Sequence, residues 1–120
     1  MDPAIQAALE RDRTIDITTT GRRTGQKRRI ETWFFNLDGR IYLTGSPGRR
    51  DWLANLRARP DFTFHLKQTT HADLAARAHP VDDLDERRRV MTLILEGLGR
   101  SLSPLETWVA RSPLVEVEFF

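Results

Sequence analysis

Apolar and polar positions change period several times along the chain, and each change marks an element. Asp2-Pro3 reads as an N-cap followed by proline at the first helical position, and Ile5, Ala8 and Leu9 then recur at helical spacing. β-Branched residues dominate Thr14 to Thr20, and Arg28 to Asn36 reads RRIETWFFN, so both stretches predict strands. Asn36-Leu37-Asp38-Gly39 supplies turn chemistry before Arg40 to Thr44, which predicts a hairpin ending at Gly45-Ser46-Pro47-Gly48. Trp52, Leu53 and Leu56 mark a short amphipathic helix that Pro60 stops. Phe62 and Phe64 alternate with Thr63, His65 and Lys67, and a second alternating stretch, His71 to Ala78, follows the Gln68-Thr69-Thr70 turn as the other half of a second hairpin. Asp83 with Glu86 resembles a capping box for a helix whose apolar face is Leu84, Met91, Ile94, Leu95 and Leu98, ending near Gly97 to Gly99. Val115, Val117 and Phe119 alternate against Glu116 and Glu118 in a last strand.

Six strands and three short helices, joined by hairpins rather than strand-helix-strand units, predict an α+β fold built on an antiparallel sheet that curls into a barrel. No repeat or linker interrupts the 120 residues. They are expected to form one domain, 1–120, that buries roughly two thirds of the surface its unfolded form exposes.

Charge alters this picture through its placement. The formal net charge is only +2, but residues 20 to 59 carry ten basic side chains against Glu31, Asp38 and Asp51, between mildly acidic flanks. Such a local field suits an anion. Cysteine is absent, which leaves no disulfide, thiolate metal site or cysteine nucleophile. No run reaches the eighteen or so apolar residues of a spanning helix, and the N-terminus lacks a leader pattern. A cytoplasmic, unprocessed protein with no integral membrane segment is expected.

The basic residues gather at two glycine turns. In TTTGRRTGQKRR, residues 18 to 29, Gly21 and Gly25 allow close approach of the backbone, while Arg22, Arg23, Lys27, Arg28 and Arg29 supply donors suited to phosphate or carboxylate. The spacing is neither GxxxxGK[ST] nor GxGxxG. On composition alone, a solvated hairpin turn reads equally well. The second turn, GSPGRRDW from Gly45 to Trp52, passes from a strand end into a helix start, where free N–H groups favour an anion.

The blocks TTTGRRTGQKRRIETWFF and GRIYLTGSPGRRDWLANLRARP resemble the deazaflavin-dependent nitroreductase and quinone reductase family of split β-barrel proteins, and span Thr18 to Pro60 almost without a gap. The resemblance implies a small antiparallel split β-barrel and the deazaflavin coenzyme F420, a polyanion through its phosphate and glutamate-bearing tail. It implies that Arg23 and Arg28, with Arg22, Thr24 and Gly25 beside them, clasp the tail. Ser46, Gly48 and Arg49, with Gly45, Asp51 and Trp52 around them, would face the phosphate or ribityl chain. Ile30 to Trp33, including Thr32, and Tyr42 to Thr44 would flank the ring. The implied chemistry is hydride transfer from the reduced deazaflavin to a small electron-poor acceptor, a quinone, nitroaromatic or enone. The cofactor carries that chemistry, which accounts for the lack of a nucleophile–base pair.

The family's substrate-side tyrosines correspond here to Leu105 and Trp108, and indole N–H is a donor but no useful acid. Nitroreduction is therefore not assumed. His65 is a third substrate-side candidate, set against its reading as a partly exposed hairpin residue. His65, His71 and His79 lack metal-ligand spacing, so no metal is expected. Trp33, Phe34 and Phe35 must point to both faces of their strand. Trp52 reads as a packing anchor as readily as a ring contact. Arg87, Arg88 and Arg89 after Asp82, Asp83, Asp85 and Glu86 read as i,i+4 pairs on a solvated face. Three alternatives stay open: an FMN-binding barrel using the same turns, a non-catalytic F420 carrier and, less favoured, a nucleic-acid module. No nucleic-acid partner is expected, and a homodimer is allowed.

Overall fold

A computed structural model describes residues 1–120. Helix α1 (Pro3–Arg11) starts where Asp2 accepts hydrogen bonds from the amides of Ala4 and Ile5. Strands β1 (Thr14–Thr20), β2 (Lys27–Leu37) and β3 (Arg40–Thr44) follow, then α2 (Asp51–Ala58), the hairpin β4 (Asp61–Leu66) and β5 (Ala72–Pro80), α3 (Leu84–Gly97), α4 (Leu105–Arg111) and β6 (Leu114–Phe119). The strands close an antiparallel barrel in the order β1-β2-β3-β6-β5-β4. Helix α4 adds a fourth to the three expected. Its seven residues follow Pro104 directly, too short a run to show a period.

Alternation along the strands sorts the apolar side chains into two cores. Ile15, Ile17, Phe34, Leu43, Phe64 and Val115 point into the barrel, joined by Ala8 and Leu9 of α1 and Trp52 and Leu56 of α2. Phe35, Tyr42 and Leu114 point outward from the neighbouring positions and pack with Val90, Met91, Ile94 and Leu95 of α3 and Trp108 and Val109 of α4. The register Phe34↔Leu43 and Phe35↔Tyr42 is what lets the WFF run feed both cores. Helices α1 and α2 sit at opposite ends of the β1–β2 pair, α1 bonded to Asn36 near the β2–β3 turn and α2 to Arg22 in the β1–β2 turn. The long turn between β1 and β2 therefore lies against the start of a helix.

On the outer face of β1, β2 and β4, Asp16 accepts from Lys67 Nζ at 2.6 Å and from Arg29 Nε at 3.0 Å, and Lys67 also donates to Glu31. The bond from Lys67 chiefly, opposed by partial burial and reinforced by Arg29, holds the Asp16 carboxyl below its ordinary value of 3.8. Asp82, paired with Arg57, is lowered too. A depressed folded-state value means that the stabilisation is fully present above the ordinary value and is lost as pH falls through the folded one. Melting temperature should therefore fall as pH drops from about 4 towards 2, and more shallowly in Asp16→Asn. Parallel curves for wild type and variant would refute the assignment.

Candidate functional site

The turn between β1 and β2 is closed by its own backbone: Gly21 N–H donates to the Gln26 carbonyl and Gly25 N–H to that of Gly21. Gly25 has φ of 73°, the left-handed region that a side chain resists, so the bend depends on glycine. Arg22 is tied to α2. Its backbone N–H and its Nη1 both donate to Asn55 Oδ1, at 3.1 and 2.9 Å, and its Nη2 lies 3.6 Å from Asp51. Arg23 and Arg28 are exposed and take no part in any ion pair. With Gly21, Thr24, Asp51 and Asn55 they line a cleft of about 330 Å³ that has no apolar lining. Arg59 also reaches the turn, its guanidinium 3.9 Å from where a Cβ on Gly25 would sit. Three arginines without a carboxylate thus surround one glycine bend.

A second cleft of about 350 Å³ begins on the other side of the first turn of α2, lined by Glu31, Thr32 and Trp33 of β2, Thr44, Gly45, Ser46, Arg50, Trp52, Arg100 and Trp108. Arg50 folds over the glycine turn and donates from Nη2 to the Ser46 carbonyl at 2.9 Å. A Cβ on Gly45 would stand 3.0 Å from that nitrogen, a contact the flexible guanidinium would have to ease by a few tenths of an ångström. Arg50, as N-cap, gives α2 no side-chain cap. Its first N–H groups are left for another partner. Trp33 is about two-fifths exposed, whereas Trp52 and Trp108 are buried. Arg100 lies 5.8 Å above the Trp108 ring.

The arrangement places the expected residues as follows. Arg22, Arg23, Thr24, Arg28 and Asp51 line the first cleft, and Thr32, Thr44, Gly45, Ser46, Trp52 and Trp108 line the second. Gly25 shapes the first without lining it, and Ile30, two-fifths exposed, lies on β2 between the two. Gly48 and Arg49 do not join them; they face a third cleft beside Leu53. Tyr42 is completely buried in the second core, out of reach of the ring position implied for it. Leu105 packs against the same core instead of lining the cleft. His65 is not a partly exposed hairpin residue. It is 6 % exposed and hydrogen-bonded through Nδ1 to Asp73 and through Nε2 to the Thr18 hydroxyl, both at 2.6 Å, on the outer face of the barrel. Those two bonds hold it away from both clefts, and the Asp73 carboxyl is lowered by it in return. Trp52 serves as both core anchor and cleft wall. Arg50, Asn55, Arg59 and Arg100 were not anticipated. The Arg49-Arg50 pair was visible, but which of the two turns inward depends on the path of the glycine turn.

A family model described as F420H(2)-dependent quinone reductase matches residues 4–99. The chain belongs to that family. It is therefore an F420-dependent oxidoreductase. Among solved structures, a conserved hypothetical protein from Mycobacterium tuberculosis is similar at TM-score 0.79 and 22 % identity, covering 99 % of this chain and 81 % of that one. The haem storage protein HutZ of Vibrio cholerae gives 0.76 and 15 % over 99 % and 89 %. A structure described as an F420-H2 dependent reductase, FDR-A, gives 0.63 and 21 % over 89 % and 95 %. These likenesses establish the shared barrel. No helix is long and apolar enough to cross a membrane.

Whether this quinone reductase family member can hold its cofactor is answered by the donor set. F420 joins an anionic phosphate and glutamate tail to a flat ring. Unpaired arginines at a glycine bend match the first part, and the adjoining cleft with tryptophan in its walls matches the second. The residues fit the group.

Proposed function

We propose that the protein reduces a small electron-poor acceptor, a quinone before a nitroaromatic or an enone, with hydride from reduced F420 held across the two clefts. The observation that carries this reading is the group of unneutralised arginines, Arg23, Arg28 and Arg59, beside a tryptophan-walled cleft. When bound, the reduced cofactor supplies the hydride. Arg23 and Arg28 clasp its phosphate and carboxylates by charge-assisted bonds, and Arg22, fixed to Asn55, carries the turn on α2. Arg50 and the uncapped start of α2 add positive potential at the joint between the clefts.

Trp33, Trp52 and Trp108 would orient the ring and exclude water from it, and Thr32 and Thr44 line the same cleft. Thr44 donates its hydroxyl to the Pro113 carbonyl at 2.6 Å, so it positions the cleft wall without serving as an acid. No tyrosine faces the cleft, so a proton needed to complete the reduction would come from solvent. That favours a quinone, whose reduced oxygen needs no committed acid. A cytoplasmic setting and pairing of two copies over the exposed Trp33 and Ile30 belong to the same reading; size in solution tests the second.

The deciding test is a titration of the purified protein with F420 and with FMN at low and moderate salt. Saturable, salt-sensitive binding of F420, tightening with tail length, is expected. A preference for FMN would transfer the turns to a different phosphate, and F420 binding without turnover on a quinone panel would leave a carrier.

Trp108→Phe tests the acceptor side. The buried ring contributes to the second core, so a stability loss of about 1 to 2 kcal/mol is expected from the smaller side chain. Turnover of the acceptor should fall more than F420 affinity. Equal loss of both would reduce Trp108 to packing.

A further inference from the structure

On the far side of α2, away from the arginine turn, the Gly48-Arg49 bend, α2, the start of α3 and the chain leaving α4 enclose a cleft of about 590 Å³. Four arginines line it, Arg49, Arg57, Arg87 and Arg111, against one carboxylate, Asp82. That carboxylate is already taken: Arg57 holds it through two bonds of 3.0 and 2.6 Å. Arg49 and Arg111 form no ion pair. Arg87 is 9 % exposed, and its Nε, Nη1 and Nη2 donate to the carbonyls of Val109, Val81 and Ser112.

Carbonyls satisfy N–H groups but do not neutralise charge. Two of the five guanidinium N–H groups of Arg87 are left without an acceptor. The Ser112 hydroxyl in the same wall is buried and has no partner. A buried guanidinium, a residue with a buried unpartnered hydroxyl and two free surface arginines therefore line one concavity. Leu53, Leu84, Val109 and Pro113 give the rest of it an apolar character that the first cleft lacks entirely.

We propose that this cleft is a second binding site, for a small organic anion that joins a phosphate or carboxylate head to an apolar body. Its wall is shared with the cofactor clefts, but its residues are not. Arg50 turns to one side of the Gly45–Arg50 segment and Arg49 to the other, and Trp108 and Val109 part in the same way on α4. The two sites can be filled together.

The test is a calorimetric titration with phenyl phosphate, in the absence and presence of saturating F420. Saturable binding that survives F420 is expected, with inorganic phosphate clearly weaker because it lacks the apolar body. Arg111→Gln should weaken phenyl phosphate about tenfold while leaving F420 affinity unchanged, and Arg49→Gln should do the same. Arg111 is exposed and its carbonyl, which accepts from Gly48 N–H, survives the substitution, so folding is preserved. Displacement of phenyl phosphate by F420 would overturn the proposal by making the cleft part of the cofactor site. Failure to saturate, or indifference to both substitutions, would overturn it outright.

Discussion

The double variant Arg23→Ala/Arg28→Ala is expected to lose F420 binding by about 2 to 6 kcal/mol, from about 1 to 3 for each charge-assisted contact. The range is wide because both side chains face one anionic tail, and neighbours sharing a ligand need not add. Folding should be unaffected, since both guanidinium groups are exposed and neither is engaged within the protein. Removing two like charges from a bend that already holds Arg22 and Arg59 relieves repulsion and should raise the melting temperature slightly. Affinity lost with stability kept or gained is the signature of charges held for a ligand. The salt dependence of the remaining binding should flatten as well, because fewer counter-charges meet the tail. Unchanged F420 affinity in both single variants and the double would sink the assignment of the first cleft. Arg22→Ala should behave differently, since it cuts the bonds to Asn55 and loosens the turn itself.

What could be read from the chain follows from which forces are local. Caps and tight turns act over three or four residues, so Asp2-Pro3, Asn36 to Gly39 and Asp83 with Glu86 declared α1, the β2–β3 hairpin and α3 before any tertiary contact was known. Strand closure into a barrel followed from hairpin count and alternation. The basic glycine turns stood out because charge without counter-charge is visible in one dimension. Site assembly is another matter. Arg49 and Arg50 are adjacent in sequence, and a single bend with Gly48 at φ of 143° sends them to opposite sides of α2. Asn55 enters the first cleft, and Arg59 reaches the adjoining bend, only because α2 packs against the β1–β2 turn. His65 alternates as a surface residue should, but Thr18 and Asp73 on neighbouring strands cover it. Arg87 was the most misleading. Read within the run Arg87-Arg88-Arg89 it belonged to a solvated face, yet it is in helical phase with Val90, Met91 and Ile94, and that phase places it inside.

Arg87→Ala is expected to destabilise the fold by about 2 to 4 kcal/mol. Three carbonyls, at Val81, Val109 and Ser112, would lose their only side-chain donor, and a buried carbonyl left unpaired costs about 1 to 3 kcal/mol. Two effects offset part of that sum: the protein no longer buries a cation, and the adjoining cleft lets water reach some of the freed oxygens. Burial already pushes the Arg87 guanidinium below its ordinary value, opposed by the attraction of Asp82, which shows the direction of the first effect. Arg87→Lys separates charge from geometry. A lysine keeps the charge, but its single ammonium cannot span three carbonyls drawn from the end of β5, the end of α4 and the start of β6. If the fork is what joins those segments, Arg87→Lys should be nearly as unstable as Arg87→Ala in urea unfolding. If the charge is what matters, Arg87→Lys should recover most of the loss. Because β6 closes the barrel between β3 and β5, loosening its start should also lower the cooperativity of unfolding, read as a smaller denaturant slope. An unchanged midpoint in both variants would mean that the three carbonyls find water as readily as they find Arg87, and the residue would then be held for the cleft alone.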